Sequence, residues 1–181
     1  ITSFARRNIT GIIEQLKASM ERNVLVLGKD NDEDGIRNIQ KMKEFLRKKG
    51  YEALSLKELP DINYISLESK MTRIASLCGF VVVEDSRVSG HIDELRICVQ
   101  NEFVTVIMRQ TGTAATWMQS HYPMLYSFIK RFCYGKVPKI DILCDSVNDT
   151  LEDALEKGIR WAEDKKEEQR KQFSRFYSQF R

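Results

Sequence analysis

Residues 81–95 read VVVEDSRVSGHIDEL, and this stretch decides the fold. Its three valines close an apolar run that starts at Phe80. A short run with no polar face marks a strand buried inside a parallel sheet, with helices covering both sides. Glu84 and Asp85 stop the run, a polar loop containing Gly90 follows, and a helix begins near His91. Ser86 or Ser89 can cap that helix, and Gly90 permits a tight backbone approach. Ile92, Leu95 and Val99 share its inward face, and Glu94 is offset from Asp93 by about 100° of helical rotation.

The same alternation extends outward in both directions. Upstream, Asn23–Gly28 (NVLVLG) reads as the first strand, and Asp32–Lys49 as a helix with Ile36, Ile39, Met42, Phe45 and Leu46 on one face before Gly50. Tyr51–Leu56 reads as the second strand. Ile65–Leu77 reads as a helix that aligns Leu67, Met71, Ile74 and Leu77. Downstream, FVTVIM (Phe103–Met108) is the fourth strand. Ala114–Phe132 reads as helical material interrupted near Pro123, and KIDILC (Lys139–Cys144) as the fifth strand. A helix led by Ile9, Ile12, Ile13 and Leu16 precedes this core, and a long helix carrying Leu151, Leu155, Ile159 and Ala162 follows it.

Strands alternating with helices imply an α/β fold. The expected architecture is doubly wound and flavodoxin-like, a five-stranded parallel sheet of order 2-1-3-4-5 with added N- and C-terminal helices. The expected organisation is an N-terminal helix at 1–22, a nucleotide-binding α/β domain at 23–147 and a C-terminal helix at 148–181. On such sheets ligands bind at the carboxyl ends of strands 1 and 3. That points to the loops 28–34 (GKDNDED) and 84–90 (EDSRVSG). In the first loop Gly28, Lys29, Asp30 and Asn31 are candidate ligand contacts, Asp30 or Asn31 toward a ribose hydroxyl. Capping of the next helix explains its acids equally well.

Composition narrows the class. The net charge of +3 in 181 residues is too small to argue for nucleic acid. No apolar stretch reaches the roughly 20 residues of a membrane span. Cys78, Cys98, Cys133 and Cys144 form no CxxC pair and read as free thiols of a cytoplasmic protein. His91 and His121 are not spaced for zinc. The chain starts at Ile1, which suggests a piece of a larger protein whose other domains are partners. An aromatic stripe, Phe173, Phe176, Tyr177 and Phe180, either packs on the first helix or serves an oligomer contact. Trp117 and Tyr64 are weaker stacking candidates, and Thr111-Gly112-Thr113 could approach a ligand at the same sheet edge.

NVLVLGKDN, KMKEFLRKKGYEALSL, IASLCGFVVVEDS and SGHIDELRICVQNEFVTVIM together resemble the TIR-like and nucleoside 2-deoxyribosyltransferase-like domains. The resemblance covers somewhat under half of the chain. It implies that Glu94, in the Glu94-Leu95 pair, is the key carboxylate at C1′ of a nucleotide, and that Asp85 helps to position the ligand. In the TIR-like branch the bond cleaved is the nicotinamide–ribose bond of NAD. No separate cofactor is implied, since NAD or another nucleotide enters as substrate or ligand. Ser89-Gly90-His91 replaces the Gly-Thr usual in the deoxyribosyltransferases, and Arg96-Ile97 replaces the small residues after Glu-Leu. From periodicity alone a glutamate placed as Glu94 is more often a helix N-terminal acid than a catalyst. Two functions therefore stay open. One is an N-glycosidic enzyme, and the other a nucleotide-sensing or self-assembling signalling module without turnover. A phospho-acceptor receiver domain shares the fold, but Cys144-Asp145-Ser146 stands where its lysine is usual.

Overall fold

The computed structural model describes residues 3–29, 31–61, 64–86, 92–113, 121–135, 144 and 147–179. Among the described residues six parallel strands form one sheet: β1 (Asn23–Leu27), β2 (Glu52–Leu54), β3 (Phe80–Glu84), β4 (Thr105–Gln110), β5 (Ile129–Tyr134) and β6 (Val147–Asn148). Their order is β2-β1-β3-β4-β5-β6, the expected doubly wound order with one strand added at the edge. The chain leaves β1 for β2 on one side and returns to β3 on the other, so the switch point lies between β1 and β3.

Strand periodicity divides the core between the two faces. Val24, Val26, Phe80, Val82, Val106, Met108 and Phe132 point to α2 (Glu33–Lys48) and α6 (Leu151–Ser178), where they meet Met42, Leu46, Leu155 and Ala162. Leu25, Leu27, Val81, Val83 and Ile107 point to α3 (Leu67–Ala75) and α4 (Ile92–Gln100), where they meet Met71, Leu95 and Cys98. The helix α1 (Ser3–Arg22) precedes β1, and a short α5 (Tyr122–Leu125) precedes β5. Asp32 caps α2 by accepting a 2.8 Å hydrogen bond from the Gly35 amide. Gly35 is required there, because a Cβ on it would lie 1.9 Å from the Lys29 carbonyl oxygen.

Several expectations need correction. The fifth strand is Ile129–Tyr134 (IKRFCY), inside the segment expected to be helical up to Phe132. Lys130 and Arg131 hide its apolar pattern, yet Lys130 points to solvent and Arg131 inward, as strand periodicity demands. Most of the expected strand at 139–144 lies outside the described residues. Cys144 is not in a strand, and is joined by a disulfide to Cys133. The bridge forms because Cys133 pairs with Val147 of β6 and the chain passes Cys144 just before it, with the two Cα atoms 5.9 Å apart. Only Cys78 and Cys98 are free thiols, and the cytoplasmic placement loses the support it drew from four of them.

Leu67 and Leu77 are exposed, since Lys70, Met71 and Ala75 make the inner face of α3. Ile36 is also exposed. Phe173 and Phe176 are more than half exposed, and Phe173 borders a groove together with Lys17 and Met20 of α1. The side chain of Tyr177, together with Phe180 and Trp117, lies outside the described residues. Tyr64 is fully exposed. Among the described residues no helix is long and apolar enough to cross a membrane.

Candidate functional site

At the carboxyl end of β1 a cleft of about 540 Å³ opens at the switch point. Leu27 and Gly28 form its floor, Ile36, Ile39 and Gln40 of α2 one wall, and the segment Ser55–Leu59 with Asp61 another. Leu67 and Lys70 of α3 and Glu94 of α4 complete it. The walls are largely aliphatic, as a site for a flat organic ligand requires, with a few charged groups converging on them.

Glu94 and Asp93 separate as their helical offset requires. Glu94 is half-buried and lines the cleft. Asp93 is 81% exposed and pairs with Arg96 at 3.5 Å. Leu95, next in sequence, is fully buried on the sheet and fixes the rotation of the helix.

The expected substrate contacts divide among several places. Gly28 lines the cleft, but packing accounts for its missing side chain. An added Cβ would lie 2.9 Å from Ile39 and 3.0 Å from the Glu84 Cβ. Lys29 is paired with the capping Asp32 at 3.2 Å, and Asn31 is exposed. Asp30, Ser89, Gly90 and His91 lie outside the described residues. Asp85 and Ser86 are buried just past the end of β3, and neither is among the residues lining this cleft. The Asp85 amide donates to the Met108 carbonyl at 2.8 Å, and the Ser86 hydroxyl accepts from the Gln110 amide at 2.9 Å. The Ser86 hydroxyl also lies 3.2 Å from the Tyr134 hydroxyl. Burial above all, with the nearby Glu84 carboxylate, pushes the Tyr134 phenol up to about 12, against the lowering effect of Ser86. Thr111–Thr113 forms a turn closed by the Thr113 hydroxyl donating to the Gln110 carbonyl at 2.7 Å.

Sequence reasoning missed a set of buried charges. Glu84 is not a turn residue: it ends β3, is fully buried, and accepts from the Asn38 side-chain amide at 3.4 Å and the Ser86 backbone amide at 3.3 Å. Arg109 is buried at the end of β4 and donates to the Thr113 carbonyl. Lys43 is fully buried on α2 and paired with Glu58, which holds that carboxyl below its ordinary range. Lys70 is buried on α3 and donates to the Leu59 carbonyl and to Asp61, each at 2.7 Å. The two lysines thus anchor the segment after β2 that walls the cleft. The signal for them was present in the sequence, because Lys43 stands four residues after Ile39 and three before Leu46, and Lys70 four before Ile74, on the inward faces of their helices. Among the described residues no cluster of histidine, cysteine or acidic side chains could hold a metal ion.

No family model matches the chain. No curated protein matches it either. Solved structures of similar shape include a 2-deoxyribosyltransferase from Bacillus psychrosaccharolyticus, 10% identical, covering 74% of this chain and 90% of that one with a TM-score of 0.47. Another is a CMP N-glycosidase from Clostridium botulinum, 11% identical, covering 75% and 96% with a TM-score of 0.48. A third is a conserved protein from Enterococcus faecalis, 11% identical, covering 77% and 98% with a TM-score of 0.45. The likeness is one of overall shape.

Proposed function

We propose that the switch-point cleft binds a nucleoside or nucleotide and that Glu94 acts on its N-glycosidic bond. One observation carries this: of the two adjacent acids on α4, Glu94 lines the aliphatic cleft while Asp93 stands in solvent. A carboxylate at C1′ stabilises the oxocarbenium-like centre that forms as the base departs. As nucleophile it forms a glycosyl ester while the C1′–N bond breaks and its electron pair leaves with the base. Water then cleaves the ester and frees both sugar and carboxylate, or an acceptor base takes the sugar instead. NAD belongs to the same substrate class, with nicotinamide as the leaving base. The TIR-like side of the sequence resemblance names it.

The test is to incubate the chain at high concentration with a panel of nucleosides, nucleotides and NAD, and to follow released base by chromatography. Base release that depends on Glu94 supports the enzyme. Binding without release on every member of the panel favours the second reading, a nucleotide-sensing or self-assembling module of a larger protein. That second reading draws on the exposed apolar residues Ile12, Ile13 and Leu16 of α1 and Phe173 and Phe176 of α6.

A further inference from the structure

Lys70 has no role in the chemistry assigned to Glu94, yet it lines the same cleft. Only 6% of it is exposed, whereas its carboxylate partner Asp61 is 96% exposed. A buried ammonium is costly to hold without a close anion. An exposed partner, screened by water, is a weak one. The ammonium has three donors, and two are engaged, by the Leu59 carbonyl and by Asp61. Lys70 therefore faces the cleft with a donor to spare and a counter-ion that solvent can exchange. The other charged groups on the cleft are Lys57, Glu58 and Glu94, and Glu58 is already held by the buried Lys43. A phosphate offers more charge and more acceptor oxygens than the Asp61 carboxylate. The aliphatic walls suit a sugar and base, and Lys70 adds the cation that a bare nucleoside has no use for.

We propose that Lys70 is the phosphate-binding side chain of this cleft, so that its ligand is a nucleoside 5′-monophosphate, with Asp61 standing in for the phosphate when the cleft is empty. This deepens the function proposed above and rests on it for the identity of the cleft. Phosphate binding displaces Asp61 from the ammonium, and Asp61 opposes binding by the same competition.

Calorimetry with cytidine, CMP, adenosine, AMP and inorganic phosphate tests the proposal on the unaltered chain, Lys70→Met and Asp61→Asn. The expected result is that each nucleotide binds at least about tenfold tighter than its nucleoside, as a charge-assisted phosphate contact implies. Lys70→Met erases that difference, so that the variant binds nucleotide no tighter than the nucleoside measured on the same variant. Asp61→Asn, which keeps a side-chain oxygen for the buried ammonium but removes the charge, tightens nucleotide and phosphate binding but not nucleoside binding, and its thermal melt is recorded as well. A thermal melt of Lys70→Met checks that the variant is folded. Equal affinity for nucleoside and nucleotide, a preference that survives Lys70→Met, or no binding of either overturns the proposal. Lys70-dependent nucleotide binding without base release upholds it while removing the catalytic role of Glu94. Base release from nucleosides and nucleotides with no phosphate preference does the reverse.

Discussion

Two glutamates mark two ends of the same crossover, and their surroundings differ. Glu84 closes β3, is wholly buried, and is held by Asn38 and the Ser86 amide on the side of α2 and α6. Glu94 stands ten residues later on α4, half-buried, at an aliphatic cleft that opens to solvent. The first belongs to a buried polar cluster that extends through Ser86 to Tyr134 and ties the ends of β3, β4 and β5 together, with Glu84 Oε2 left without a hydrogen bond among the described residues. The second lines the cleft proposed above to take a ligand. Polar residues at the carboxyl edge of a doubly wound sheet therefore do two jobs. Burial and hydrogen bonding, rather than position in the sequence, tell which job each residue has.

The largest expected effect falls on the open side. Glu94→Gln lowers base release by on the order of a thousandfold or more, as loss of a covalent nucleophile does, and leaves the melting temperature within a degree or two. Steady-state assay and a thermal scan of the same sample measure both. Next comes Gly35→Ala, which forces a methyl into the Lys29 carbonyl oxygen and costs about 1–3 kcal/mol by urea unfolding. A cost near zero would show that the turn before α2 relaxes freely.

On the closed side, Tyr134→Phe removes the hydroxyl beside Ser86 and costs about 1 kcal/mol of stability with no loss of base release. A large loss of activity there would merge the two regions into one site. The same tyrosine predicts a pH effect. Its pKa is raised in the folded state, so the folded protein holds the proton more tightly and stability falls as pH rises from about 10 toward 12. Tyr51, also raised by burial and by its hydrogen bond to Glu163, adds to that loss. Phenolate absorbance against pH, run beside a stability curve, should show late-titrating tyrosines and alkaline unfolding together. The smallest effect is that of Asp93→Asn, an exposed side chain whose loss shifts stability by within about 0.5 kcal/mol and leaves activity intact.

The sheet was legible because β1, β3 and β4 carry the short apolar runs VLVL, FVVV and VIM, as strands of a doubly covered parallel sheet do. The strand β5 was not, because Lys130 and Arg131 break the run in IKRFCY and tertiary burial of Arg131 overrides its polarity. The disulfide was illegible for a related reason: it depends on β6 pairing with β5, a non-local contact with no trace in cysteine spacing. In the site, helical rotation sets Glu94 about 100° from Asp93, but the family resemblance, not the rotation, singled out Glu94. The buried lysines escaped notice because periodicity assigns faces, not ion-pair partners. The Glu58 and Asp61 that hold them lie in a segment without regular period.

The most direct measurement is base release by Glu94→Gln beside Glu84→Gln, on whichever nucleoside or nucleotide the unaltered chain turns over best. The expected result is turnover abolished in the first variant and retained within a few-fold in the second, with both variants folded. Turnover that survives Glu94→Gln and disappears with Glu84→Gln would contradict the account and move the chemistry to the closed side of the sheet.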